Sequence, residues 1–150
     1  MAKRNRWRTK EAVKIAEQAG IKALRTGAEA ILTEAIDEAP VDTGTLRRSG
    51  TVTVGSLPKN PTQIYEESLP PEKGGSGMEH KDAFPDPVGK EKAVYISFNT
   101  PYARRQHEEV GYYHPLGGYA KYLEVPFARK KKKVLKYADK QIKKALRETR

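Results

Sequence analysis

The sequence predicts an α+β fold: a small antiparallel sheet packed by a long N-terminal helix and a long basic C-terminal helix, with a Pro/Gly-rich extended arm. Three observations predict it. Apolar residues recur at helical spacing near both ends of the chain, two short alternating runs lie between them, and six of the ten prolines fall between Leu57 and Lys92. A chain of 150 residues suits one domain with one core, so 1–150 reads as a single unit with a basic N-terminal tail over 1–8 and an arm over 57–92.

From Thr9 to Glu38 the apolar positions Ala12, Ala16, Ala19, Ala23, Leu24, Ala28, Ile31, Ala35 and Ile36 form one helical stripe. Thr9 is the expected N-cap. Gly20 and Gly27 each cost about 1 kcal/mol relative to alanine unless something packs closely there. Pro40 ends the helix, because it disfavours helical geometry at Ala39 and lacks an amide donor. In the turn that follows, Asp42 is placed to accept from the amides of Gly44 or Thr45, with Thr43 between them and Gly44 free to take a positive φ. Val41 and Leu46 are expected to reach the core, with Arg47 and Arg48 projecting beside Leu46.

Thr51, Val52, Thr53 and Val54 alternate as a strand with one buried face. The stretch from Leu57 to Lys92 holds Pro58, Pro61, Pro70, Pro71, Pro85, Pro87 and a Gly74-Gly75-Ser76-Gly77 cluster, which excludes a continuous helix or a central strand. It reads as an arm with Ile64, Tyr65, Leu69 and Phe84 as anchors, or as a flexible insertion. Lys92 to Phe98 is the second strand, with Val94, Ile96 and Phe98 on one face. Ile64 to Glu66 or Tyr112 to Tyr113 are further strand candidates. Asn99 to Pro101 turns the chain into a short segment at Tyr102 to Glu108, in which Tyr102 is expected to pack on the sheet.

The last helix is expected from about Tyr119 to Arg147, with a break possible at Pro126. Its apolar stripe comprises Leu123, Phe127, Val134, Leu135, Ala138, Ile142 and Ala145, with the stem of Lys131 along its edge. Lys132, Lys136, Lys140 and Lys143 lie opposite and form a basic ridge. The net charge of +10 is concentrated at the ends: residues 1–10 hold five positives and no acid, and residues 121–150 hold twelve positives against three acids. Such ends are either solvated faces or contacts for a polyanion.

Chemistry is sparse in this sequence. There is no cysteine, which removes disulfides, thiol catalysis and cysteine-ligated metals and fits assembly in a reducing cytoplasm. His80, His107 and His114 lack chelating spacing, so no metal is expected, and no cofactor either. Gly117-Gly118 lacks the context of a phosphate loop. No apolar run approaches the ~20 residues of a membrane span, and the basic start lacks the apolar stretch of a signal peptide. Asp42-Thr43-Gly44 also matches the aspartic-protease tripeptide, whose two copies share one proton. Here one copy stands beside Arg47 and Arg48, cations that would keep paired carboxylates ionised.

Two strings carry a resemblance: A-P-V-D-T-G-T-L-R-R-S at Ala39 to Ser49 and N-T-P-Y-A-R-R-Q-H-E-E at Asn99 to Glu109. With the long helix before the first and G-G-Y-A-K-Y-L-E-V-P-F after the second, the chain resembles the minor capsid, head-tail joining or tail-completion proteins of long-tailed bacteriophages. The resemblance implies a non-enzymatic subunit of a homo-oligomeric ring, a hexamer, in the virion neck, assembled in the host cytoplasm. Its expected neighbours are a portal-side connector or stopper, a tail-tube or tail-terminator protein, and genomic DNA passing without sequence readout; no membrane is involved. Pro40, Asp42, Thr43, Gly44, Leu46 and Arg47 form the expected turn and assembly motif. Pro101, Tyr102, Ala103, Arg104, Arg105 and Gln106 are the expected subunit contacts, and the lysine ridge faces DNA or an acidic partner. The alternative from charge alone is a basic nucleic-acid-binding protein.

Overall fold

The computed structural model of the protein describes residues 2–41, 44–58 and 92–148, with side chains from residue 8 onward. Along them run α1 (Ala2–Glu38), α2 (Thr45–Arg48), β1 (Gly50–Val54), β2 (Val94–Phe98), α3 (Ala103–Glu108) and α4 (Glu124–Glu148). The class is α+β: two long helices and one two-stranded antiparallel sheet. The expectations for Asp42, Thr43 and nearly all of the arm lie outside the described residues.

The 37 residues of α1 span about 55 Å at 1.5 Å per residue. The helix begins at Ala2, so Thr9 is an interior residue and no N-cap, and the backbone of residues 2–8 is helical where a tail was expected. No proline or glycine stands there to stop the helix from propagating toward the N-terminus.

Its alanine stripe is the contact for α4, which runs antiparallel along it. Gly27 faces Val134 and Gly20 faces Ile142: a β-carbon at these positions would lie 2.3 Å from Val134 Cγ1 and 3.2 Å from Ile142 Cδ1. The two glycines are therefore notches for side chains on α4, and this close packing offsets their low helix propensity. Ion pairs border the seam. Arg129 reaches Glu34 and, at 3.1 Å, Glu38, while Lys130 Nζ lies 2.7 Å from Glu34 and donates to the carbonyl of Ala30 at 3.2 Å.

α4 departs from its expected stripe. It begins at Glu124 rather than near Tyr119, and Pro126 is buried in its first turn, where a missing amide removes no intrahelical bond. Ala138 is buried as expected, but Phe127 and Leu135 are 49% and 61% exposed. The lysine at the seam is Lys130, while Lys131 is exposed. The reason is geometric: α4 meets one narrow Ala/Gly helix rather than a broad layer, so only the residues centred on Val134 and Ala138 are covered.

The sheet pairs Gly50 with Phe98 through to Val54 with Val94. A two-stranded ribbon is marginal alone; here one face packs on α1, with the β-carbon position of Gly50 only 2.9 Å from Leu32 Cδ1 and 3.3 Å from Ile36 Cγ1. Burial is not confined to that face. Thr51 and Thr53 are 5% and 3% exposed, lower than the one-faced pattern predicts, and the Thr53 hydroxyl is satisfied by donating to the Ser56 carbonyl at 2.6 Å. Tyr112 and Tyr113 form no strand.

Candidate assembly joint

α1 ends with carbonyl groups that have no intrahelical donors, and the strings around it supply those donors. Arg47 turns back from α2: its Nε donates to Ala39 O and its Nη2 to Asp37 O, both at 2.9 Å. A cation there also complements the negative end of the helix macrodipole. Burial lowers the pKa of Arg47, and the Asp37 carboxylate partly opposes that shift. Arg47 therefore serves as a C-terminal cap, a role the sequence pattern did not reveal.

The glycine pair closes on the same helix end. Tyr119 N–H donates to Glu38 O at 2.9 Å, and Val41 N–H donates to Gly117 O at 3.2 Å. Gly118 has φ +97°, and a β-carbon on it would fall 2.4 Å from Pro40 Cα, so a larger residue would push the two backbones apart. Val41 is only half-buried, and Leu46 is in the core at 4% exposure.

Ser49 and Asn99 join the two strings. Ser49 is fully buried; its hydroxyl donates to Leu46 O at 2.7 Å and accepts from Asn99 N–H at 3.2 Å. Asn99 Nδ2 returns to Ser49 O at 3.1 Å. Beyond them Ala39, Leu46, Ala103 and Tyr122 form one buried cluster flanked by Phe98 and Leu123. Tyr122 Oη donates to Ala103 O at 3.0 Å, and the ring meets Phe98 and His107 edge-on at 4.9 and 5.0 Å. Burial raises the pKa of the phenol, which stays a neutral donor. The small side chain of Ala103 leaves room for this approach.

His107 fastens the start of α4. Its Nε2 accepts from Glu124 N–H at 3.3 Å, which assigns the ring proton to Nδ1, 2.9 Å from Glu108 Oε1. Glu108 also accepts from Lys121 Nζ at 2.6 Å, and these two hydrogen bonds, the one from Lys121 the stronger, bring its pKa down to about 2. Ser49, Asn99, His107 and Tyr122 were not among the expected site residues. Hydrogen-bonding residue types inside the two strings were the available signal for the first three; Tyr122 gave none.

The remaining contact candidates fall into two groups. Pro101 and Arg104 are exposed, and Arg105 is exposed with its guanidinium carbon 5.6 Å from the centre of the Tyr112 ring. Tyr102, expected on the sheet, is instead 42% exposed and lines a cavity of about 260 Å³ together with Pro40, Gly44, Leu46, Gln106 and His114. Its position at the head of α3 turns it away from the strands. Both strings thus border one hollow, where Gln106 Oε1 and His114 Nε2 are buried without hydrogen-bond partners among the described residues. The ridge lies elsewhere: Lys132, Lys136, Lys140 and Lys143 are all exposed on the side of α4 away from α1, with Lys143 paired to Asp139 at 2.6 Å.

Caps, small residues and one aromatic cluster thus hold several loops in fixed relation at one end of a helical pair. The profile of the family described as "Bacteriophage HK97-gp10, putative tail-component" matches residues 7–83, and the chain belongs to this HK97-gp10-like family. Membership makes it a structural component of a phage virion. The matched region holds α1 from residue 7 onward, the first string and β1; the second string and α4 lie beyond it. No curated protein and no solved structure matches the chain. Among the described residues, no helix is long and apolar enough to cross a membrane.

Proposed function

We propose that this protein is a non-enzymatic subunit of a homo-oligomeric ring, with six copies favoured, in the phage neck, where it joins the DNA-filled head to the tail. Membership in the tail-component family carries this reading. The joint supports it, because a rigid helix-turn-strand corner presents Arg104, Arg105 and the loop after α3 outward in fixed positions. Its neighbours are a portal-side connector or stopper and a tail-tube or tail-terminator protein. Planar guanidinium donors such as Arg104 suit carboxylates on those neighbours.

The channel of such a ring passes DNA without reading it. The antiparallel helices favour a role for basic residues there, since the seam from Gly27–Val134 to Gly20–Ile142 brings the N-terminus of α1 toward the C-terminus of α4. The two basic ends of the sequence thereby share one end of the molecule. The test is genetic and structural. Phage lacking this protein should accumulate filled heads and separate tails, and supplying the protein should restore joining. Normal particles without it would overturn the reading. A monomer that binds duplex DNA steeply with falling salt would favour the nucleic-acid-binding alternative.

A further inference from the structure

α1 is longer than its partner. The notches at Gly27–Val134 and Gly20–Ile142 set the register of the antiparallel pair, and carried to the end of α4 that register puts Glu148 level with Val13 or Lys14. Residues 2–12 of α1 therefore run on past α4 for about 16 Å at 1.5 Å per residue. Exposure agrees with this overhang: Arg8, Lys10 and Lys14 are exposed and Val13 is half-exposed, whereas Ala23 and Ala28, level with α4, are buried.

The overhang is strongly and exclusively basic up to residue 10. It carries Lys3, Arg4, Arg6, Arg8 and Lys10 with no acid among them, and among the described residues Arg8 and Lys10 pair with no carboxylate. Glu11 follows the cluster, and Glu17 is engaged by Lys92. At helical spacing, positions 4 and 8 share one side and positions 3, 6 and 10 another, with uncharged positions 2, 5, 9 and 12 between them and Glu11 on the opposite face. The pairs Arg4–Arg8 and Arg6–Lys10 set like charges four residues apart, which opposes the helix, and a helical segment this short is marginal by itself. Negative charge along both sides removes that repulsion. Duplex DNA has this arrangement, because its major groove is about 12 Å wide, the diameter of a helix, and is walled by phosphates of both strands.

We propose that residues 2–12 of α1 are a grip for duplex DNA: the segment lies along the major groove, its two basic sides take phosphates of the two strands, and the neutralised segment is held helical. The proposal rests on the reading that DNA passes through the assembly, and it names a segment that meets the duplex. Phosphate contacts carry no sequence information, so the grip is indifferent to sequence.

Hydrogen exchange of full-length protein, measured with and without a short duplex of arbitrary sequence, tests the grip. Exchange over residues 2–12 should slow roughly tenfold when duplex is added at low salt and recover at high salt. Arg4→Gln combined with Arg8→Gln should abolish the slowing, flatten the dependence of log affinity on log salt by about 2, and leave thermal unfolding of the protomer unchanged. Exchange that ignores the duplex, or a salt dependence that ignores the double substitution, overturns the grip and leaves the neck-subunit reading standing. The arm is the rival partner, since residues 59–91 hold seven acids against four lysines. Exchange that is already slow without DNA, and that quickens when those seven acids are replaced by their amides, assigns the overhang to the arm and overturns the proposal as well. The neck-subunit reading fails by a separate result, normal particles from phage lacking the protein.

Discussion

Val134 occupies the space that a side chain at position 27 would need: a β-carbon on Gly27 would lie 2.3 Å from one Val134 methyl and 2.8 Å from the other. The long seam between α1 and α4 depends on this notch, as it does on the looser one at Gly20. Close approach makes many weak dispersion contacts out of small residues, which individually bury little area.

Gly27→Ala should therefore destabilise the protein even though alanine is the better helix former by about 1 kcal/mol. Overpacking of about 1–3 kcal/mol outweighs that gain, because the branched valine has no free rotamer in a helix. Thermal unfolding followed by circular dichroism should show a lower midpoint, and adding Val134→Ala should recover part of it. An unchanged or raised midpoint for Gly27→Ala would mean that the helices are not in contact there.

The Ser49–Asn99 link can be tested by a double-mutant cycle. Ser49→Ala leaves the buried Asn99 N–H without its acceptor and should cost about 1–3 kcal/mol. Because Asn99→Ala removes the return bond to Ser49 O, the two losses should be non-additive, with a coupling of about 0.5–3 kcal/mol. Strict additivity in urea unfolding would show that the two strings are not joined through these residues.

Acid should loosen the joint through Glu108. Its folded pKa, about 2, lies below the ordinary value of 4.5, so the carboxylate's contribution is fully present above about pH 4.5 and is lost as the pH falls toward 2. Glu108 is solvent-exposed, so water screens the contribution and the effect is small. A carbon-detected NMR titration should place the Glu108 midpoint well below the ordinary 4.5, and Lys121→Met should raise it. A midpoint that ignores Lys121→Met would dissociate the pair.

Replacing Lys132, Lys136, Lys140 and Lys143 by glutamine should leave unfolding nearly unchanged, since all four are exposed away from α1 and, among the described residues, only Lys143 has an ion pair, an exposed one with Asp139. The expected losses are in DNA retention and head-to-tail joining, with weaker salt dependence of any DNA binding. Undiminished yield of infectious particles would reduce the ridge to a solvated surface.

The sequence by itself determined the elements whose signals are local. The three- and four-residue spacing of alanines gave α1, Pro40 its end, alternation the two strands, and the opposition of apolar and lysine residues the outer face of α4. The strings at Ala39 and Asn99 were visible as joints, and they also pointed to the phage family. The tertiary structure alone decided what these pieces do to one another. Periodicity states which residues of a helix are apolar but not how wide a partner covers them, so Phe127 and Leu135 read as core although α1 is too narrow to reach them. It likewise could not show that Arg47 would cap α1, that His107 would receive the first amide of α4, or that Tyr122 would reach Ala103 from 19 residues away. Those roles belong to hydrogen bonds between distant segments, whose partners exist only once the helices have packed antiparallel and brought the two strings and the segment before α4 to one end.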